Sequence, residues 1–424
     1  MYGYVATALK PTAVSHAITC NRTSPTEKNL IIARGNFIEV HTFRDNGLQQ
    51  EQELTIYGRI ASLNCHRISQ LNLDVLIVLT EKKSFCILGY DTASRKVITR
   101  ATGNLKEPLG RDMPNMRTYV DPESTVIAIS IYQGSLKVIP IDGPNLKEAF
   151  NARLDVLLHI DMKFLFGCPK PTIAVLYEDN RHVKRIRSYV VDQREKDLQP
   201  GPVRYDNVDN GAKFLIPVPA PIFGLVVVAT NSISYYNGAD NVKSVVIDGC
   251  EMTSYCRVDS DGTRFLLGDE RGRLYVLVLI KAVVSGATII RSLAIDYVGS
   301  TSISECLCYL SNGYLYVGSY FGNSLLVKLR DQSIDHDENL NASTSSKSGY
   351  NRSSVNSSFV DLVETYQNVG PIVDMVVVAT ERTGHNRIVT CSGKLQDGSL
   401  RVISSGIGIR ELVSSHDPHY TIIR

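Results

Sequence analysis

The strongest constraint in this chain is its punctuation. Short apolar runs of strand length recur from end to end, and the breaks between them carry Gly, Asn, Asp or Lys. The pattern is clearest from Ile303 to Leu329, where Cys306 to Leu310, Tyr314 to Gly318 and Ser324 to Leu329 are separated by Ser311-Asn312-Gly313 and Tyr320-Phe321-Gly322-Asn323. Gly and Asn accept the positive φ of a tight hairpin turn, so this stretch reads as an antiparallel meander. One meander buries too little apolar area to stand alone and requires sister units to pack against.

The sisters are present. Comparable units run Ala13 to Phe43, Tyr57 to Leu88, Val126 to Ile141, Ile160 to Val191, Phe214 to Tyr236, Tyr255 to Ile280, Ile303 to Leu329 and Ile372 to Ile403. They start roughly 40 to 50 residues apart, the period of four-stranded propeller blades. A helical turn or two is predicted only over Asn145 to Leu158, where the apolar spacing is not sustained. A sandwich of this many strands needs crossovers and does not repeat one unit, whereas a propeller does. The sequence therefore predicts an all-β fold: a seven-bladed β-propeller of four-stranded blades over residues 1–360, one extra blade-like unit at 361–409, and a divergent tail at 410–424. With no Trp in 424 residues, the Trp-Asp signature of many blades is missing.

Charge narrows the function. Forty-five basic against 43 acidic residues leave a formal charge of +2, far from the basic balance of a chain that grips phosphate directly. The N-terminus has no basic start followed by an apolar core, and no run of about 18 apolar residues occurs, which predicts a soluble, intracellular chain with no membrane partner. Nine cysteines, several inside apolar runs, fit reduced and buried thiols. The Ser- and Asn-rich stretch 331–358 lacks the apolar area to offset its ordering entropy and is predicted to be a mobile insertion.

Chemical motifs are sparse. Gly406-Ile407-Gly408 lacks the third glycine of a phosphate loop. Asp259-Ser260-Asp261-Gly262 brings its Gly too early for a calcium loop and reads as a hairpin turn. Cys306 and Cys308 share one strand face opposite Leu307, which is core packing. His416 and His419 lack Cys partners for a metal. No enzyme, cofactor or metal is predicted. Arg181, Lys184, Arg185 and Arg187 form the densest basic run, readable as a possible nucleic-acid patch or as a solvated hairpin end. Phe321 and Leu395 are unusual in another way: each is a large apolar residue in a turn, where polar residues are the rule.

Several runs resemble the damage-specific DNA-binding protein 1 family of large subunits: Tyr4-Val-Ala-Thr-Ala-Leu-Lys-Pro-Thr-Ala-Val14, Arg257-Val-Asp-Ser-Asp-Gly-Thr-Arg-Phe-Leu-Leu-Gly-Asp269, Thr301-Ser-Ile-Ser-Glu-Cys-Leu307, Gly370-Pro-Ile-Val-Asp-Met375, Thr390-Cys-Ser-Gly393, Gly398-Ser-Leu-Arg401 and Gly406-Ile-Gly-Ile409. The resemblance implies a non-enzymatic adaptor of cullin 4-class ubiquitin ligases, built from three seven-bladed propellers and serving DNA damage recognition and nucleotide-excision repair in nucleus and cytoplasm. The middle propeller of such adaptors holds the cullin, so cullin binding is not expected of a chain that follows the pattern only to about Ile409. DNA is expected to be reached indirectly, through a partner. The first and third propellers clamp interchangeable substrate receptors, which dock by helical segments. The matching turns place Phe321, Pro371, Lys394 and Leu395 on that clamp surface. The alternative is a propeller scaffold of the mRNA cleavage, polyadenylation or splicing machinery, since subunits of both are similar to this family.

Overall fold

The computed structural model describes residues 10–44, 47–68, 70–108, 110–238, 242–284, 287–335, 357–379, 386–403 and 409–414. Among them the chain forms eight consecutive antiparallel sheets, spanning residues 16–55, 60–104, 112–153, 159–205, 214–246, 252–300, 306–366 and 372–414, in the manner of a β-propeller. Seven have four strands laid side by side in chain order; in the third, Asn145–Leu146 and Phe150–Arg153 share the outer edge of Ser135–Asp142.

Burial explains which strands form where. The second strand of each of the first seven sheets is apolar on both faces: Leu73–Thr80 and Val126–Tyr132 are buried at every position, as is Leu225–Val228. A strand sandwiched between two neighbouring sheets needs that continuous run rather than alternation. Apolar clusters fill the gaps between successive sheets from the first to the seventh. A further cluster joins Val14, Ala17, Leu30 and Ile32 of the first to Cys308, Tyr314, Tyr316 and Leu326 of the seventh. The alternation read at Cys306-Leu307-Cys308 holds: the two thiols face the first sheet and Leu307 faces the sixth. The innermost strands, from His16–Cys20 to Cys306–Tyr309, contribute His16, Asn64, Arg117, Asp161, Phe214, Tyr255 and Leu307 to one central cavity of about 680 Å³.

The structure corrects the sequence reading in places. Asn145 to Leu158 holds no helix; Phe150 and Ala152 are buried while Asn151 and Arg153 are exposed, a period of two that selects a strand. The outermost strands, such as Gly47–Thr55 and Asp197–Tyr205, add to the units the sequence predicts; they are polar and half-bury only one face. Ser324–Asp335 and Ser357–Tyr366 pair up to Asp335↔Ser357, so the seventh sheet takes in both ends of the stretch 331–358 and extends past residue 360. Residues 336–356 of the expected mobile insertion, Gly406, Gly408, His416, His419 and residues 415–424 of the tail lie outside the described residues. Asp259-Ser260-Asp261-Gly262 is the expected turn, with Gly262 at φ 70°, Asp259 paired to Arg264 and Asp261 to Lys281.

One buried base gives a pH prediction. His66 is 4% exposed, and burial pushes its pKa down to about 4. The unfolded chain's imidazole takes up its proton near pH 6.5, before the folded one does. The stability His66 provides is therefore complete above about pH 6.5 and is lost as pH falls towards 4. A His66→Gln variant shows a shallower decline of urea midpoint between pH 7 and 4.5 than the parent; parallel declines would refute the assignment.

Candidate partner-binding surface

Phe321, Pro371, Lys394 and Leu395 come from two different sheets, and the structure brings them together. Phe321 lies in the loop after Tyr314–Gly318; Pro371 enters the eighth sheet; Lys394 and Leu395 open the 3-10 turn Leu395–Asp397 between Asn386–Ser392 and Ser399–Ile403. The Lys394 ammonium sits 5.4 Å from the centroid of the Phe321 ring, and Tyr320 packs edge-on to that ring at 5.3 Å. Gly393 N–H donates to the Pro371 carbonyl at 3.0 Å. Leu395 is 62% exposed and adopts φ 50°, a left-handed conformation that costs a leucine on the order of 1 kcal/mol. The patch is a half-buried aromatic ring, a cation on its face and a bare leucine projecting beside it. Such a mixture of aromatic anchor, cation and exposed apolar group suits the apolar stripe of a partner helix.

What holds the patch in place was not legible in the sequence. Asp397, the last residue of the 3-10 turn, accepts a hydrogen bond from Ile303 N–H at 2.7 Å across the gap between the eighth and seventh sheets. Burial pushes its carboxyl pKa up, against the Ile303 N–H and the Arg401 cation, which favour the charge. Two glycines make room: a Cβ on Gly322 would lie 2.4 Å from Asp397 Cγ, and one on Gly393, at φ 89°, 2.1 Å from the Asp397 carbonyl oxygen. Asn368, 1% exposed, ties three segments together. Its Nδ2 donates to the carbonyls of Tyr320 and Gly322 at 2.9 and 3.0 Å, and its Oδ1 accepts from Thr12 Oγ1 at 2.8 Å and Gly370 N–H at 3.0 Å. Asn323 Oδ1 accepts from Asn368 N–H at 3.0 Å and from Arg401 Nη2 at 3.1 Å. The only signal for this knot was the run of Gly and Asn in otherwise unremarkable turns.

The basic run is arranged differently. Arg185 donates to Asp179 and Asp206, each at 2.8 Å, and Lys184 Nζ donates to the Ala212 carbonyl at 2.7 Å. Arg187 stacks over the Tyr177 ring at 5.6 Å, on the opposite strand face from Lys184. Arg181 is exposed at the turn. Of the four cations Arg185 is matched by carboxylates, while Lys184 and Arg187 are held by uncharged groups within the fourth sheet and its neighbours.

Comparison with known proteins completes the picture. Residues 13–367 match the family described as the RSE1/DDB1/CPSF1 first beta-propeller. The chain is 42% identical over 416 residues, 98% of its length, to "DNA damage-binding protein 1" of Oryza sativa subsp. japonica, and 42% identical over 418 residues to the protein of that name in Solanum lycopersicum. It is 42% identical over 417 residues to "DNA damage-binding protein 1a" of Arabidopsis thaliana. It spans 36% of the length of each. The family match takes in the first seven sheets, and the alignments, over 98% of the chain, reach the eighth sheet that carries Lys394 and Leu395; the chain belongs to the family of the RSE1/DDB1/CPSF1 first beta-propeller.

Proposed function

We propose that the first seven sheets form a seven-bladed β-propeller, that the eighth begins a second unit of the same kind, and that the chain is a non-enzymatic scaffold. It captures substrate-receptor proteins for a cullin-RING ubiquitin ligase concerned with DNA damage and nucleotide-excision repair, in nucleus and cytoplasm. Supporting the blade count are the apolar cluster between the first and seventh sheets and the central cavity that their inner strands share. The observation that carries the function is the joint patch of Phe321, Lys394 and Leu395, built across two sheets and locked from behind by Asp397 and Asn368. The receptor contributes a helical segment whose apolar stripe covers Leu395 and Phe321, with Pro371 at the rim. DNA is reached through the receptor, in keeping with the internal pairing of Arg185 and Lys184. Cullin contact lies outside this proposal, because the family resemblance places it on the middle propeller.

The test is affinity capture on the full chain with identification of bound proteins by mass spectrometry. Receptors carrying propellers of their own, lost on Leu395→Asp, are the expected result. Recovery of polyadenylation or splicing factors in their place would overturn the reading in favour of an RNA-processing scaffold.

A further inference from the structure

The central cavity holds charge that the scaffold reading leaves unused. Arg117, from the inner strand of the third sheet, extends a half-exposed guanidinium into it. Among the described residues its nearest acid is Asp161, whose Oδ1 lies 3.7 Å from Nη1, beyond hydrogen-bond reach. Asp161 is 2% exposed; its Oδ2 accepts from Leu215 N–H at 2.9 Å, and its Oδ1 has no hydrogen-bond partner. Lys163, two residues on, lies 5.5 Å from the centroid of the Tyr255 ring. Tyr255 in turn stacks on Phe214 with centroids 5.5 Å apart and planes 11° from parallel. Glu305 and His16 complete the wall from the seventh and first sheets. Burial drives His16 and His159 down to about 4, so both are neutral at pH 7, and the same effect raises the Glu305 carboxyl.

A guanidinium with one loose ion pair to Asp161, a second cation beside it and a parallel aromatic pair make a concave site of mixed polar and apolar lining, in a volume suited to a small molecule. A planar guanidinium matches a carboxylate or phosphate in a two-pronged geometry that water meets less well. We propose that this channel binds a small organic oxyanion bearing a planar ring, with the oxyanion on Arg117 and the ring on the Phe214–Tyr255 face. Asp161 is a positioning residue that keeps Arg117 and Lys163 directed at the lumen.

The experiment uses the full chain with sodium benzoate as ring-bearing probe and inorganic phosphate as ringless probe, at matched ionic strength with chloride as control. Titration calorimetry detects benzoate binding at or below about 10 mM, and a probe at ten times its Kd shifts the folded-to-unfolded ratio by about tenfold. Arg117→Gln weakens benzoate at least tenfold; because it also strips the buried Asp161 carboxylate of its ion-pair partner, the affinity is read on protein shown to be folded by its ligand-free melting midpoint. Arg117→Lys, which keeps the charge but loses the fork, falls between the two. Failure of benzoate to bind the parent chain, or equal binding by Arg117→Gln, overturns the site. Phosphate binding as tightly as benzoate overturns the assignment of the ring to the aromatic pair. Receptor capture is read separately on the same variants and stays unchanged, so failure here is distinguishable from failure of the scaffold reading.

Discussion

Asn368→Leu lowers the unfolding free energy by about 3–5 kcal/mol, although the two side chains are nearly the same size and no cavity opens. Asn368 is almost wholly buried and spends its amide on the Tyr320 and Gly322 carbonyls, Thr12 Oγ1 and Gly370 N–H. Leucine removes all four bonds; Thr12 Oγ1 still accepts from Val369 N–H, but the Gly322 carbonyl loses its bond from Asn368 in a buried place and the others in part-buried ones, and each stranded buried group costs about 1–3 kcal/mol. The partners lie on the entry to the first sheet, the loop of the seventh and the entry to the eighth. Urea unfolding measures the loss, and limited proteolysis shows cleavage advancing first into the linker 367–371. A loss under about 1 kcal/mol would mean that the knot is decorative.

The second large effect is on binding. Phe321→Asp weakens receptor capture by about 30-fold or more, the consequence of losing a central aromatic anchor worth roughly 2 kcal/mol. The fold survives, because the ring is only half-buried and the introduced carboxylate meets Lys394, the cation that now lies over the ring. A helix presenting an apolar stripe then faces a desolvated negative charge, which is costly without a partner of its own. Capture undiminished by Phe321→Asp, in protein whose melting midpoint is unchanged, would remove this surface from the proposed function. The stability variant and the binding variant fail in opposite ways, so the two ideas are tested apart.

Much of the architecture could be read from the chain because propeller-like stacking buries the middle strands on both faces. Residues 73–80, 126–132 and 314–318 had to be continuous apolar runs, and their turns needed positive φ, as at Lys83, Gly134, Asn312 and Gly313. The outer strands escaped notice for the converse reason: Gly47–Thr55 and Lys96–Asn104 have one wet face and carry almost no apolar signal. The helical turn expected over Asn145 to Leu158 is absent because the strand inside it, Phe150–Arg153, is too short for its period of two to stand out from one of 3.6. At the candidate surface, exposed apolar residues in turns were visible locally. Asp397 and Asn368 were not, since their partners lie 94 and 356 residues away in sequence. The basic run shows the same limit: its composition is local, whereas the Asp206 and Ala212 contacts that engage it are made by folding.

Among the described residues every sheet is built from consecutive strands of the chain, and no strand from one end is lent to a sheet at the other. The first and seventh sheets therefore meet at a clasp rather than a weld: Val14 N–H to the Ser319 carbonyl at 3.1 Å, the Phe43 ring at 4.7 Å from Tyr314, and the Lys28 ammonium on the Leu310 carbonyl at 3.1 Å. During synthesis each sheet can complete as its last strand leaves the ribosome, since its partners are local in sequence. The clasp face of the first sheet, with Val14, Leu30 and Ile32, has no such neighbour until Tyr314 to Leu326 have emerged. At ribosomal rates that wait is on the order of tens of seconds. For that interval the nascent chain carries a wet apolar face on its first sheet, and this is where a chaperone would find its hold.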